Sequence, residues 1–312
     1  MELRQINYFI EVARREHITE ASHELHVAQS AISRQILNLE LELGVKLFIR
    51  EGRNVRLTPV GRLFLDRMEQ AMQVIEKARR EIEESLDPEQ GTIRIGFPSS
   101  MAAYVLPTVV SEFRELYPQV KFQLRQGSYR HLIETVIKGD IDLALLGPVP
   151  ESDRHIKGYV LFPENLVALL PSRHPLAGDV SLQLNKLRGD TFVLFPKGFI
   201  LRDMVDNACQ SAGFVPRVAF EGEDIDAIKG LVAAGLGVTL IPEITLIDSC
   251  PRTTVKVPVI EPTVTRTVGV ITPNDRELLP TEQLFFEFLK QFFTVSRGLV
   301  PDSGKSVRAK KN

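Results

Sequence analysis

The sequence predicts an α/β protein in three successive parts: a small helical head, one long helix, and a body of alternating strands and helices. Three observations carry this. Apolar residues recur at helical spacing through residues 3–43, a heptad-spaced stripe runs from 64 to 82, and short apolar runs alternate with amphipathic segments from Gly91 onward. At 312 residues the chain is too long for one ordinary core. Its 44% apolar and 25% charged residues are those of a globular protein, and a net charge of -2 gives no overall bias toward a polyanion. A local basic surface can still hide in that average.

Leu3, Ile6, Phe9, Ile10 and Ala13 share one face of a first helix. Thr19 is the expected N-cap of a second, with Ala21 and Leu25 turned inward. After a short break at Val27–Ala28, Ile32, Ile36, Leu39 and Leu43 make the stripe of a third helix, which Gly44 closes. Three short helices with a tight turn before the last describe a helix-turn-helix. In VKLFIREGRNVRLT, alternating apolar residues flank Glu51-Gly52-Arg53-Asn54, the pattern of a hairpin, here a wing. From residue 50 to 67, Arg50, Arg53, Arg56, Arg62 and Arg67 face only two acids, Glu51 and Asp66, so positive charge is concentrated there. The head is expected over 1–58.

Thr58-Pro59 opens the long helix, Thr as N-cap and Pro at N1, where its missing N–H costs nothing. Phe64, Met68, Ala71, Ile75, Ala78 and Ile82 then recur at alternating spacings of 4 and 3, a coiled-coil seam expected over 59–88. A helix lying on its own domain would also be amphipathic. A narrow seam leading away from a small head favours a partner chain, hence a homodimer.

From Gly91 the order is strand (GTIRIGF), a helix bent or interrupted around Pro107, strand (VKFQLRQGS), helix (YRHLIETVIKGD) and strand (IDLALLGP), an open parallel sheet. NLVALLP, TFVLFPKG, FILRDMVDNACQSAGF, DIDAIKGLVAAG and VTLIP form a second unit, and TRTVGVIT with EQLFFEFLKQFF a last strand and helix. The tail 298–312 has basic residues and no apolar period, as in a disordered segment.

The first turns of the third helix expose Gln29, Ser30, Ser33, Arg34 and Gln35, side chains that donate and accept where a surface helix normally carries Lys and Glu. An α-helix fits the major groove of double-stranded DNA, and Gln, Arg and Ser are residues that read base edges there. Arg50 and Arg53 on the wing suit phosphates or a narrow minor groove. Taken alone, this helix face is as compatible with plain solvation; the turn, the basic wing and the dimer helix together favour DNA.

The same residues resemble the head of LysR-type transcriptional regulators. Ala21, Leu25, Gln29, Ser33, Leu39, Glu40, Leu43, Gly44, Leu47, Phe48, Arg50, Leu57, Thr58 and Gly61 fall on that family's pattern, and the likeness continues over nearly the whole chain. Ser30 departs from it, since many members carry Pro there. The runs GEDIDAIKGLVAAGLGVTLIPE and LRQGSY…DIDLALLGPVP carry a closer resemblance to activators of glutamate synthase genes in Gram-positive bacteria. The resemblance implies a ligand-responsive regulator of promoter DNA. It further implies an effector domain of periplasmic-binding-protein type, with lobe I over 91–163 and 267–295 and lobe II over 164–266. Dimers assembling to a homotetramer are expected, RNA polymerase is the further partner of an activator, and the subgroup points to a dicarboxylate effector such as 2-oxoglutarate or glutamate.

Residue chemistry places a ligand in the same region. Ser99 and Ser100 follow the first strand of the body and open a helix, and Gly127-Ser128 repeats this after the second. Helix N-termini carry partial positive charge and free N–H groups, and in open α/β sheets ligands bind at the carboxyl ends of the strands. Either serine site alone is an ordinary N-cap; their parallel placement suggests a shared anion site. Arg202, near a helix start where the dipole disfavours a cation, either pairs with Asp203 or Asp206 or meets a ligand carboxylate, with Lys197 nearby.

Other chemistries find no footing. Gly235 and Gly237 imitate a dinucleotide motif, but a helix precedes them and a strand follows, the reverse of what phosphate binding requires. The histidines lack ligand spacing, so no metal or other cofactor is expected, and no nucleophile–base constellation points to an enzyme. Cys209 and Cys250 read as two buried thiols of a reducing compartment. With no secretory h-region and no membrane-length apolar run, a cytoplasmic location is expected. The rival from another class is a small-molecule carrier or receptor with an appended head.

Overall fold

The structure is a computed structural model and describes residues 1–51 and 54–295, the side chains of Arg50, Glu51 and Val295 excepted. The chain divides into two compact units, Met1–Ile82 and Glu83–Asn312.

In the first unit, α1 (Leu3–Arg15), α2 (Ile18–Glu24) and α3 (Gln29–Leu43) precede an antiparallel hairpin of β1 (Phe48–Glu51) and β2 (Asn54–Leu57). Phe9, Leu39, Leu47 and Leu57 form one core, and Val12, Ala21, Ile32, Ile36 and Val55 a second. The apolar stripe of α3 therefore holds at Ile32, Ile36 and Leu39, whereas Leu43 in the last turn is exposed. The cap of α2 also differs from expectation. His17, not Thr19, is the N-cap, its Nδ1 accepting from the Glu20 N–H at 3.3 Å, because an imidazole nitrogen supplies the acceptor a hydroxyl would.

The long helix α4 (Pro59–Leu86) starts as Thr58-Pro59 predicts, the Gly61 N–H donating to Thr58 Oγ1 at 2.8 Å. Gly61 has no alternative: a Cβ there would lie 2.1 Å from the Leu47 carbonyl oxygen. Its apolar stripe is not one uniform seam. Phe64 and Met68 pack half-buried on the head, where Phe64 meets the Phe9 ring edge-on at 5.1 Å between centroids. Ala71, Ile75, Ala78 and Ile82 are exposed.

In the second unit, β3 (Thr92–Phe97), β4 (Lys121–Gln126) and β5 (Leu143–Leu146) pair in parallel in the order β4-β3-β5. Between them lie α5 (Ser99–Ala102), α6 (Val105–Leu116) and α7 (Tyr129–Lys138). The interruption expected at Pro107 falls earlier, at Ala103–Tyr104. Pro107 sits in the first turn of α6, where its missing N–H is tolerated.

The chain continues through β6 (Ile156–Pro171), β7 (Leu182–Gln183), β8 (Thr191–Leu194) and α8 (Ile200–Ser211). Next come β9 (Arg217–Glu221), α9 (Ile225–Ala233), β10 (Thr239–Pro242), β11 (Thr254–Glu261), β12 (Thr265–Pro273) and α10 (Pro280–Val295). The sheet is mixed rather than parallel throughout, because β12 inserts antiparallel between β5 and β6. β6 is shared: Ile156–Asn165 pair with β12, and Leu166–Pro171 pair with β10 and β11.

Alternating residues put Leu143 and Leu145 of β5 into a core with Phe113 and Phe285, and Ala144 and Leu146 into another under α7. The Phe113 and Phe285 rings meet edge-on at 5.0 Å, which docks the late helix α10 onto α6. Leu166–Leu170, Phe192, Val205 and Ile228 belong to a separate core, so the unit has two lobes. Cys209 is buried in the latter, its thiol pushed up to about 12 by burial and the nearby Asp206, but Cys250 is exposed. Among the described residues no helix is long and apolar enough to cross a membrane.

Candidate nucleic-acid interface and ligand cleft

α3 begins after Ala28 and presents Gln29, Ser30 and Arg34 to solvent, with Ser33 and Gln35 half-buried. Gln35 is tied inward: its side-chain oxygen accepts from Gln5 Nε2 at 3.2 Å, which joins α3 to α1. The expected wing contacts, the Arg50 side chain and Arg53, lie outside the described residues. What fixes α3 against the hairpin is Glu40, buried on α3. One of its oxygens accepts from the Leu47 and Phe48 N–H groups at 2.8 and 3.2 Å, the other from Lys46 Nζ at 2.7 Å. A hydrophobicity pattern could not assign this role to an acid; the local signal was a carboxylate one turn before the end of an otherwise apolar stripe.

In the second unit a cavity of about 680 Å³ opens between the two lobes. Ser99, Ser100 and Ser128 line it from the first lobe and Lys197 from the second, together with Phe199 at the start of α8. Four of the five residues expected there are therefore brought to one cleft. Ser128 caps α7 as anticipated, its hydroxyl accepting from the His131 N–H at 3.4 Å, whereas Ser99 and Ser100 lie within the four-residue α5, whose N-cap is Pro98 and makes no side-chain cap bond; the 12-residue helix α8 also points its first turn at the cleft wall. Tyr129 lines the same wall, and burial raises its phenol pKa, so it stays a neutral donor and acceptor.

Arg202 does not line the cavity. Its guanidinium is buried, Nε 2.8 Å from Asp206 and one terminal nitrogen 3.0 Å from Glu221 and 2.9 Å from the Phe195 carbonyl. Burial works against its charge, but the two carboxylates outweigh that and the net shift is upward. The ion-pair alternative is thus the one realised, with Asp206 rather than Asp203, one helical turn on.

The cation at the cleft floor is instead Arg266, on β12, which the sequence reading missed. It bonds Glu164 on β6 at 2.7 Å, Ser100 Oγ at 3.3 Å and the Gly147 carbonyl at 3.1 Å. A charge inside an apolar strand such as TRTVGVIT was the available signal. Its partner lies 102 residues away, beyond any local pattern. Arg266 is neutralised by Glu164, and Arg130 and Lys197 in the lining stand against Asp203 and Glu223, so the charges around the cleft balance.

Two family models match the chain. Residues 3–62 match the model for "Bacterial regulatory helix-turn-helix protein, lysR family", and residues 86–294 match "LysR substrate binding domain". The chain is 58% identical to the transcriptional dual regulator GltC of Bacillus subtilis over 94% of its own length and 98% of that protein. It is 35% identical to the uncharacterized HTH-type transcriptional regulator YybE of the same organism, over 94% and 100%. The crystal structure of full-length CbnR with its target DNA superposes with a TM-score of 0.76 at 23% identity, covering 93% of this chain and 99% of that one, and shares the fold. The carrier alternative finds no support in these matches.

Proposed function

The chain belongs to the LysR family of DNA-binding transcription regulators with an effector-binding domain, and from that premise we propose how its residues divide the work. Gln29, Ser30, Ser33 and Arg34 read base edges in the major groove, with Gln35 bracing α3 against α1, while Arg50 and Arg53 contact the backbone or minor groove. The exposed α4 residues Ala71, Ile75, Ala78 and Ile82 form the dimer seam, and dimers pair into a homotetramer. The effector is a small anion held by Ser99, Ser100, Ser128 and Lys197, with a dicarboxylate such as 2-oxoglutarate or glutamate as the first candidate. The genes controlled belong to glutamate and nitrogen metabolism, a reading supported by the 58% identity to GltC, and RNA polymerase is the further partner if the chain activates.

The observation that carries the effector assignment is the convergence of the Ser99–Ser100 turn, the capped start of α7 and Lys197 on one cavity. Binding that favours one arrangement of the lobes shifts the population of tetramer geometries, and so the spacing of paired heads on DNA.

Selection of operators from a random duplex pool by the full chain tests the DNA part. A dyad-symmetric site is expected, and Arg34→Ala should cost about 1–3 kcal/mol and relax particular base pairs. Unchanged sequence preference in that variant counts against the assignment. Footprints on the selected site with and without 2-oxoglutarate or glutamate test the effector part.

A further inference from the structure

The Arg266–Glu164 pair occupies a place that side-chain chemistry alone does not require. Both side chains are almost fully buried, at 1% and 3% exposure, and a buried ion pair is often no more stabilising than well-packed apolar residues of similar volume. Its position in the sheet is specific. Arg266 and Glu164 are direct cross-strand partners near the end of the β6–β12 ladder, and two residues further on β6 begins pairing with β10 of the other lobe. The pair therefore marks the point where the shared strand changes lobes.

Each member also reaches a second structure. Three of the five guanidinium N–H groups go to Glu164, Ser100 Oγ and the Gly147 carbonyl, and Arg266, Ser100 and Gly147 all line the cleft. Gly147 leaves the guanidinium its space: a Cβ there would sit 3.0 Å from Arg266 Cζ. The second oxygen of Glu164 accepts from the buried Ile244 N–H at 3.1 Å. Ile244 lies in the turn Glu243–Leu246 that leaves β10, yet its side chain is embedded in the core of the first lobe. One ion pair thus joins the cleft floor, the lobe crossover and a turn that ties the lobes together.

We infer that Arg266 and Glu164 are positioning residues that couple occupancy of the cleft to the arrangement of the lobes. The inference rests on the cleft being the effector site. An anion arriving beside Ser100 competes with Glu164 for the charge of Arg266. As Arg266 shifts toward the ligand its bond to Glu164 weakens, and Glu164, still held by the Ile244 N–H, is no longer tied to the cleft floor, so the turn after β10 is freed from it. The resting pair keeps the unliganded arrangement, and the ligand releases it.

The test uses Glu164→Gln in the full chain, since the amide oxygen can still accept from Ile244 while the charge opposing Arg266 is gone. Two results are expected on the selected operator. Without ligand, the footprint of the variant resembles that of liganded wild type, and 2-oxoglutarate binds the variant about tenfold or more tightly by calorimetry, through the unopposed charge. A purely structural role would lower the melting temperature and move neither readout. A variant with wild-type affinity and a wild-type free footprint overturns the inference. If Glu164→Gln does not fold, Arg266→Lys carries the test: it keeps a cation but loses the fork, so the ligand should bind without changing the footprint, and a normal footprint response overturns the inference. If wild type ignores dicarboxylates yet the free Glu164→Gln footprint still shifts, the dicarboxylate assignment fails and the coupling stands.

Discussion

Glu40→Ala in the full chain removes the carboxylate that holds the start of the hairpin to α3. Of its three partners, the N–H of Leu47 matters most, because Leu47 is 0% exposed and its N–H donates to Glu40 at 2.8 Å. An orphaned buried N–H costs about 1–3 kcal/mol. The Phe48 N–H, at 3.2 Å and half-buried, loses less because water can replace the carboxylate. The bond from Lys46 adds little, since its side chain is 67% exposed. The sum is about 2–4 kcal/mol of local stability, which corresponds to a roughly 30- to 700-fold faster amide exchange if opening is the exchange-competent step.

Hydrogen exchange read by mass spectrometry over residues 44–58 measures this directly. Glu40→Gln keeps one acceptor oxygen and should lose only about 1 kcal/mol. The order Ala far above Gln is the signature of the N–H bonds rather than of charge. Equal exchange in the two variants, or an Ala variant within a few-fold of wild type, refutes the reasoning. Operator binding should fall in parallel if α3 reads bases as proposed, because the same carboxylate holds α3 to the hairpin.

Two further outcomes follow from buried titratable groups. Glu282, at the start of α10, has its pKa raised by burial and by the neighbouring Asp142 carboxylate, despite its bond to Arg276 at 2.6 Å. A raised folded-state pKa means the folded form binds its proton more tightly. The associated stability is full below the ordinary carboxylate value and is lost as pH rises through the raised one. Urea denaturation against pH should show that loss above the usual carboxylate range, and Glu282→Gln should remove the slope; an unaltered slope excludes Glu282 as its source. For the thiols, Cys250 is exposed while Cys209 is buried with its pKa pushed up to about 12, so native protein should react with one equivalent of a thiol reagent at neutral pH and unfolded protein with two. Native Cys250→Ser that still reacts promptly would contradict this burial.

Local chemistry alone determined the order of the parts. Helix and strand periods, the Thr58-Pro59 start, the Gly44 end and the polar turn at 29–35 are properties of neighbouring residues, and they appear in the structure where the sequence puts them. The shared cleft was legible to the same degree, because Ser99, Ser100 and Ser128 each follow a strand and sit at the start of the next helix. What needed tertiary structure was every feature whose partners are far apart in the chain. β7, β9 and β11 are short, half-exposed or, in β11, carry a Pro at 258, and they became strands only beside a neighbour that supplied the hydrogen bonds. Arg202 was a candidate for the cleft and Arg266 was missed, because tertiary pairing puts the first into an ion-pair network with Asp206 and Glu221 and the second at the cleft floor beside Glu164. Phe64 turned from a presumed seam residue into part of the head core for the same reason: periodicity identifies an apolar face, and only packing decides what covers it.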